Sequence, residues 1–377
     1  MTALGGQRAK LLRSWVKRAE VLVEVELEAL CDDPEWQEEE ILAAYRRMER
    51  QTQDAIAVLM GCANISHLKL QFDHDDGDWK KKSHARNSHT YSRPMFNSGG
   101  LLQLPFFANL QSLCLSGPDA STFDLEALAG TLSHLQQLSS LELVEFESWS
   151  TLVTCLAATN RHATLQNLSW KPNMAVMHPA SLLKMLHPMS SVTTFTWDCF
   201  ATDPEEAWGA LQYCTFQGRP INSVLSFRLL HLTRMQEYDL SAIANTFPAV
   251  QHLHFSLIHI GLGGSDELSI SLLVPFPHLQ SLSIHIEAWF GNAARQEEAI
   301  SWMLQVIRVF ASTVDAPRFP ILRRFHITVE VGGDVHSDAL EPFFIAVGDG
   351  AVNMLAHVKA DVLVQVSSGA TSRTFRQ

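Results

Sequence analysis

The feature that most constrains this chain is a triplet of apolar residues at positions i, i+3 and i+5 that recurs along it. Its copies are Ile65-Leu68-Leu70, Leu110-Leu113-Leu115, Leu138-Leu141-Leu143, Leu165-Leu168-Trp170, Val192-Phe195-Trp197, Val224-Phe227-Leu229, Val250-Leu253-Phe255, Leu279-Leu282-Ile284 and Leu322-Phe325-Ile327, with a weaker tenth through Leu355 and Val358. From Leu113 to Leu282 the middle residues advance in steps of 28, 27, 27, 32, 26 and 29 residues. Two wider steps, 45 residues from Leu68 to Leu113 and 43 from Leu282 to Phe325, accommodate a polar segment at 73–100 and a helically spaced stretch from Asn292 to Ser312.

The last two triplet positions lie two apart, so on a short strand both side chains share one face, and the first enters from the preceding turn. Helical spacing fills the intervals, as in Leu125-Leu128-Leu132-Leu135, Leu152-Leu156, Leu182-Leu183-Leu186 and Ile300-Met303-Leu304-Ile307. Helix starts are marked at Asp124 and at Asp203-Pro204-Glu205-Glu206, where a capping Asp, a first-turn Pro and acids meet the positive helix end. Strand then helix, repeated, predicts an α/β chain with an inner parallel sheet and an outer layer of helices. One such unit cannot cover its own apolar face, whereas each buried Leu or Phe contributes roughly 1.5–3 kcal/mol once neighbours stack on it. Two or three triplets could arise in a generic α/β enzyme; nine favour a solenoid.

Proline introduces four of the strands, in Pro105-Phe106-Phe107-Ala108-Asn109-Leu110, Phe247-Pro248-Ala249-Val250, Phe276-Pro277-His278-Leu279 and Phe319-Pro320-Ile321-Leu322. It ends the preceding helix and begins an extended segment. The phrase F-P-x-[LV]-x-x-[LF]-x-[LIF] resembles the degenerate leucine-rich repeats of fungal F-box-like proteins over about residues 60 to 366. The resemblance implies a leucine-rich-repeat solenoid of horseshoe form, and the role of substrate-binding arm in a cullin-type ubiquitin ligase. It also implies a cullin adaptor as partner, although residues 1–60 contain no recognisable F-box.

Those first 60 residues read instead as a helical cap of two amphipathic helices, Arg8 to Leu30 and Pro34 to Met60, broken at Cys31-Asp32-Asp33-Pro34. Trp15, Leu22, Leu27, Leu42, Tyr45, Ile56 and Leu59 make their apolar stripes, and the acidic run Glu35 to Glu40 is a solvated face. The expected organisation is therefore a cap at 1–60, a repeat domain at 61–366 with its insert at 73–100, and a flexible tail at 367–377.

Composition limits the function. A hydrophobic share of 46% supports a continuous core, and a formal net charge of -12 argues against phosphate-neutralising nucleic-acid binding. No secretory leader or membrane-spanning run is read, so a cytoplasmic or nuclear monomer is expected. Cys31, Cys62, Cys114, Cys155, Cys199 and Cys214 lack C-x-x-C spacing and read as reduced, mostly small core residues.

No phosphate loop, nucleophile elbow or H-E-x-x-H pattern is present; Gly261-Leu262-Gly263-Gly264 reads as a turn, and neither cofactor nor catalytic residue is assigned. The Asp73-His74-Asp75-Asp76 cluster carries metal-ligand chemistry within a polar, lysine-bearing loop and is not assigned a metal. The candidate site is the open, concave sheet face. On its carboxyl-terminal half the residues flanking the inward pairs are Arg228, His252, His254, Ser281, Ser283, His285, Arg324, His326 and Thr328. Earlier strands offer Ser112, Cys114, Ser140, Glu142, Asn167, Ser169, Thr194 and Thr196. Of the first set, Arg228, His252, His254, Ser283, His285, Arg324 and His326 are expected to contact an acidic or polar protein partner, with the arginines as anchors and the imidazoles as pH-sensitive contacts. Metal binding by His254, His285 and His326 is not expected, because they come from separate strands. Trp170 and Trp197 read as core. The expected function is a non-catalytic protein-interaction module; the alternatives are a structural scaffold and an α/β enzyme.

Overall fold

The triplets are strands. In the computed structural model, which describes residues 16–25, 57–74, 106–116, 135–146, 164–172, 190–198, 220–233, 237–260, 269–271, 275–289, 296–314, 318–332, 337–368 and 371–377 together with residues 50, 54 and 132, each of the nine copies opens or lies in a parallel strand. The chain divides into two units, Met1–Met177 and His178–Gln377.

In the first unit β1 (Arg18–Val25), β2 (His67–His74), β3 (Ser112–Ser116), β4 (Ser140–Phe146) and β5 (Asn167–Pro172) pair in parallel and in chain order. Leu68, Leu113, Leu141 and Leu168 occupy one register level, and Leu70, Leu115, Leu143 and Trp170 the next, all buried. Register thus stacks the greasy pairs into columns, the arrangement in which each strand covers its neighbour's apolar face.

The second unit repeats the scheme with β6 (Thr194–Asp198), β7 (Ser226–Thr233), β9 (His252–Ile260), β11 (Ser281–Trp289), β12 (Arg324–Gly332) and β13 (Asp361–Ser368), all parallel. A final strand, β14 (Thr371–Arg376), turns back antiparallel on β13. Two short strands, β8 (Glu237–Asp239) and β10 (Ser269–Ser271), pair separately. The core columns extend beyond the triplets through Ile286, Val329, Val331 and Val366, which is why β9, β11 and β12 reach nine residues. Helices α1 (Leu240–Thr246), α2 (Gln296–Thr313) and α3 (Ser337–Met354) lie between strands, with Met303, Val306, Ile307 and Phe310 of α2 buried and the Phe310 ring 6.0 Å from that of Phe255.

One backbone device recurs at nearly every step. The carbonyl just after a triplet's first residue accepts two N–H groups from the next copy: Gln111 O from Ser139 and Ser140, Leu225 O from Gln251 and His252, and Gln280 O from Arg323 and Arg324, at 2.7–3.1 Å. A tight turn sets it up, with the N–H of Leu110, Leu138, Val250 and Val358 bonded to the carbonyl of Phe107, Leu135, Phe247 and Leu355. The phenylalanines of the F-P phrase also stack between copies, Phe276 on Phe319 at 5.7 Å, while Phe227 and Phe247 lie 4.7 Å apart.

Four expectations are corrected. Residues 18–25 are not part of an amphipathic helix but the strand β1, whose Ala19 and Val21 align with Leu68 and Leu70. Val16-Ala19-Val21 is a further triplet, written in small and β-branched residues that a search for Leu overlooks, and Lys17 O accepts from Ser66 and His67 as at the other steps. Arg50, Asp54 and residues 57–59 are helical, in line with the second expected helix; the rest of Pro34 to Met60, including its acidic run, lies outside the described residues. The tail expected at 367–377 is the end of β13 and the strand β14, because an added antiparallel strand satisfies the free edge of β13. Asp73 and His74 belong to β2 rather than to an insert, and the remainder of 75–100 lies outside the described residues. The tenth copy, through Leu355 and Val358, carries one extra residue before Val362 and Val364, which hides its spacing. Helix α3 carries Pro342 near its start, where it removes only one i→i−4 bond. The helical spacings at 125–128, 152–156 and 182–186, the Asp124 and Asp203 helix starts and the 261–264 turn lie outside the described residues, whereas Leu132 is helical and buried.

Candidate functional site

Strand alternation leaves one face of the parallel strands polar. In the second unit register assembles this face into rows across strands. The first row is Thr194, Ser226, His252, Ser281, Arg324 and Asp361. The second is Thr196, Arg228, His254, Ser283, His326 and Leu363. His285 stands one row further, between Ser256 and Thr328. All seven expected partner-binding residues therefore fall on one face within three rows, and Arg228, His252 and Arg324 are exposed while His254, Ser283, His285 and His326 are half-buried.

The electrostatics follow from crowding. Burial pushes the His254 imidazole down to about 4, helped by the positive charge of Arg228 and by His285 and His326, so it is neutral near pH 7. His326 is lowered as well, by burial. Its Nε2 lies 3.4 Å from the Thr328 hydroxyl, and His285 Nε2 lies 3.5 Å from Glu330 Oε2. A neutral imidazole still donates one N–H and accepts at the other nitrogen, so the second row offers a guanidinium, two imidazoles and two hydroxyls with no carboxylate among them.

Sequence reasoning stopped short of one pair. The Nδ1–H of His231 donates to Asp198 Oδ1 at 2.6 Å. His231 is the one non-glycine residue at positive φ (57°) among the described residues, and it sits where β7 shifts register against β9 between Leu229 and Leu232. Such a bulge re-aims a side chain, and His tolerates the left-handed region better than most residues. Asp198 continues the open-face alternation of Thr194 and Thr196 and was legible by the same rule, as were Glu287 and Glu330. The bulge was not legible, because nothing in Leu229-Leu230-His231-Leu232 announces an extra residue.

The first unit has its own polar row of Glu20, Lys69, Cys114, Glu142 and Ser169. Lys69 Nζ is 2.6 Å from Glu20 Oε1, and that carboxylate raises the lysine above its ordinary value. Burial, reinforced by Glu142, pushes the Cys114 thiol up to about 12, so it stays protonated and unreactive at neutral pH. Cys62 is buried; both cysteines are free thiols. Trp170 and Trp197 are fully buried, as expected.

The chain matches no protein-family model and no curated protein. Among the described residues no group of three His, Cys, Asp or Glu side chains is placed to hold a metal ion, and no helix is long and apolar enough to cross a membrane.

Proposed function

We propose that the chain is an irregular leucine-rich-repeat protein working as a non-catalytic protein-interaction module, with its partner seated on the open face of strands β6 to β13. The observation that carries this reading is the unbroken row Arg228, His254, Ser283 and His326, drawn from four strands and free of carboxylates. On a chain of net charge -12, a local run of cationic and imidazole groups on an open sheet face has the character of a recognition surface for acidic or polar protein. Stacking of the F-P phenylalanines and the repeated carbonyl bridge support the repeat assignment.

The role that fits the resemblance in the repeat phrase is the substrate-recognition arm of an F-box-type ubiquitin ligase receptor, acting as a monomer in the cytoplasm or nucleus. Co-purification of a cullin adaptor with the tagged protein is the expected result for that role; its absence leaves an interaction scaffold. The module itself is tested with a photo-crosslinking amino acid at position 283. Adducts should form there and not at exposed Val58, and Arg228→Ala with Arg324→Ala should reduce their yield at least about tenfold, as expected for loss of anchoring charges. Equal adducts at both positions, or no effect of the double variant, would remove the proposal.

A further inference from the structure

Ser283 is the shortest side chain of its row and stands between two imidazoles, His254 on β9 and His326 on β12. Strands lie about 4.8 Å apart, so the two histidine backbones stand roughly 10 Å apart with the serine between them, which leaves room for one small group between the rings. Arg228 backs His254 from β7, and Arg324 and His252 lie one row away. The acids on this face stand elsewhere: Asp198 is bonded to His231, Glu330 lies 3.5 Å from His285, Asp361 neighbours Arg324, and Glu287 is two rows beyond Ser283. The row thus offers donors and positive charge, with no negative group of its own.

We infer that Ser283, His254 and His326 form a seat for one carboxylate side chain of an acidic partner segment, that Arg228 guides it in, and that filling the seat takes up a proton from solvent. This inference rests on the open-face reading above and specifies the chemistry of its partner. The Ser283 hydroxyl and the two imidazoles donate to the carboxylate oxygens, and charge-assisted bonds of this kind are the stronger ones. Left empty, the seat keeps His254 neutral through burial and through the positive charge of Arg228. A carboxylate supplies the missing counter-charge, so the occupied seat holds the protonated imidazole better than the empty one. By linkage, affinity rises as pH falls through the bound imidazole's value; a carboxylate that returns His254 from about 4 to about its ordinary 6.5 makes binding about tenfold tighter at pH 5.5 than at pH 7.5, while a glutamate ligand stays largely ionised above about pH 5.

The test uses the full chain and a fluorescein-labelled hexaglutamate peptide, with hexaglutamine as control, by fluorescence anisotropy at constant ionic strength. Hexaglutamate should bind about tenfold more tightly near pH 5.5 than near pH 7.5, and hexaglutamine should not bind detectably. Calorimetry in two buffers of different ionisation enthalpy should show net proton uptake. His254→Gln and His326→Gln together should abolish the pH effect, whereas Arg228→Ala should weaken binding equally at both pH values. A second variant, Ser283→Asp, places a carboxylate in the seat permanently; it should block hexaglutamate and raise the titration midpoint of His254, read from its imidazole proton resonances, by about one unit or more. An unchanged affinity across the pH range, a pH effect that survives in the double glutamine variant, or an unmoved His254 midpoint in Ser283→Asp would overturn the inference. Crosslinking at position 283 combined with pH-independent hexaglutamate binding by the unsubstituted chain overturns the seat alone; failure of both crosslinking and hexaglutamate binding overturns the module as well.

Discussion

His254 shows how a single residue on this face couples stability to pH. Its folded value of about 4 lies below the ordinary imidazole value of 6.5, so between those limits the unfolded chain binds more protons than the folded one. The stability it contributes is therefore complete above about pH 6.5 and lost as pH falls towards 4. Allowing for solvent screening of a half-buried group, the loss is on the order of 1–2 kcal/mol. His254→Gln should flatten the decline in urea-unfolding free energy between about pH 7 and pH 4.5 by that amount; an acid limb as steep as that of the parent would contradict the assignment. His231 illustrates a different constraint. Its left-handed backbone carries strain of roughly 1–3 kcal/mol, and the bond to Asp198 helps hold the bulge that imposes it.

At the scale of elements, helix α3 and strand β14 depend on each other through one close approach. A Cβ added at Gly348 would run into Phe375 Cε2, closer than real carbons pack, so the glycine makes room for the aromatic ring of the last strand. Gly348→Ala gains helix propensity but must push Phe375 aside, and overpacking of this kind costs about 1–3 kcal/mol. The expected result is a lower thermal midpoint with faster amide exchange in β14, while Phe375→Leu in the same chain should recover part of the loss. Stability that is unchanged in Gly348→Ala would mean that the ring moves freely. The His357 Nε2–H bond to the Ala311 carbonyl, at 2.8 Å, ties the loop after α3 to the end of α2 in a comparable way.

At the scale of the molecule, a parallel ladder leaves an open edge wherever it stops, and open edges recruit other chains. In the second unit β14 provides the stop: it pairs with β13 over six residue positions, is mostly exposed, and carries Arg373 and Arg376. Charged side chains on an edge strand discourage further pairing. Deleting residues 369–377 should therefore leave the fold in place but lower the unfolding midpoint and produce concentration-dependent association, measured by light scattering. A deletion variant as monodisperse as the full chain would show that β14 is dispensable as an edge cover.

The sequence by itself determined the strand positions, because a period of two within a period near 28 leaves little freedom in which side chains face inward. Leu113, Leu141, Phe195 and Phe325 are buried where the triplet rule puts them, and the polar residues beside them form the open face. Open-face membership of Arg228, His254, Ser283 and His326 was legible for the same reason. Only the tertiary structure decided what sits opposite what: the register that aligns those four residues in one row, the bulge that brings His231 onto Asp198, and the crowding that keeps His254 neutral. It also decided the ends, turning an expected helix into β1 and an expected tail into β14. Side-chain alternation is a local property of the backbone, whereas register, bulges and edge coverage depend on strands far apart in the chain, and no local pattern encodes them.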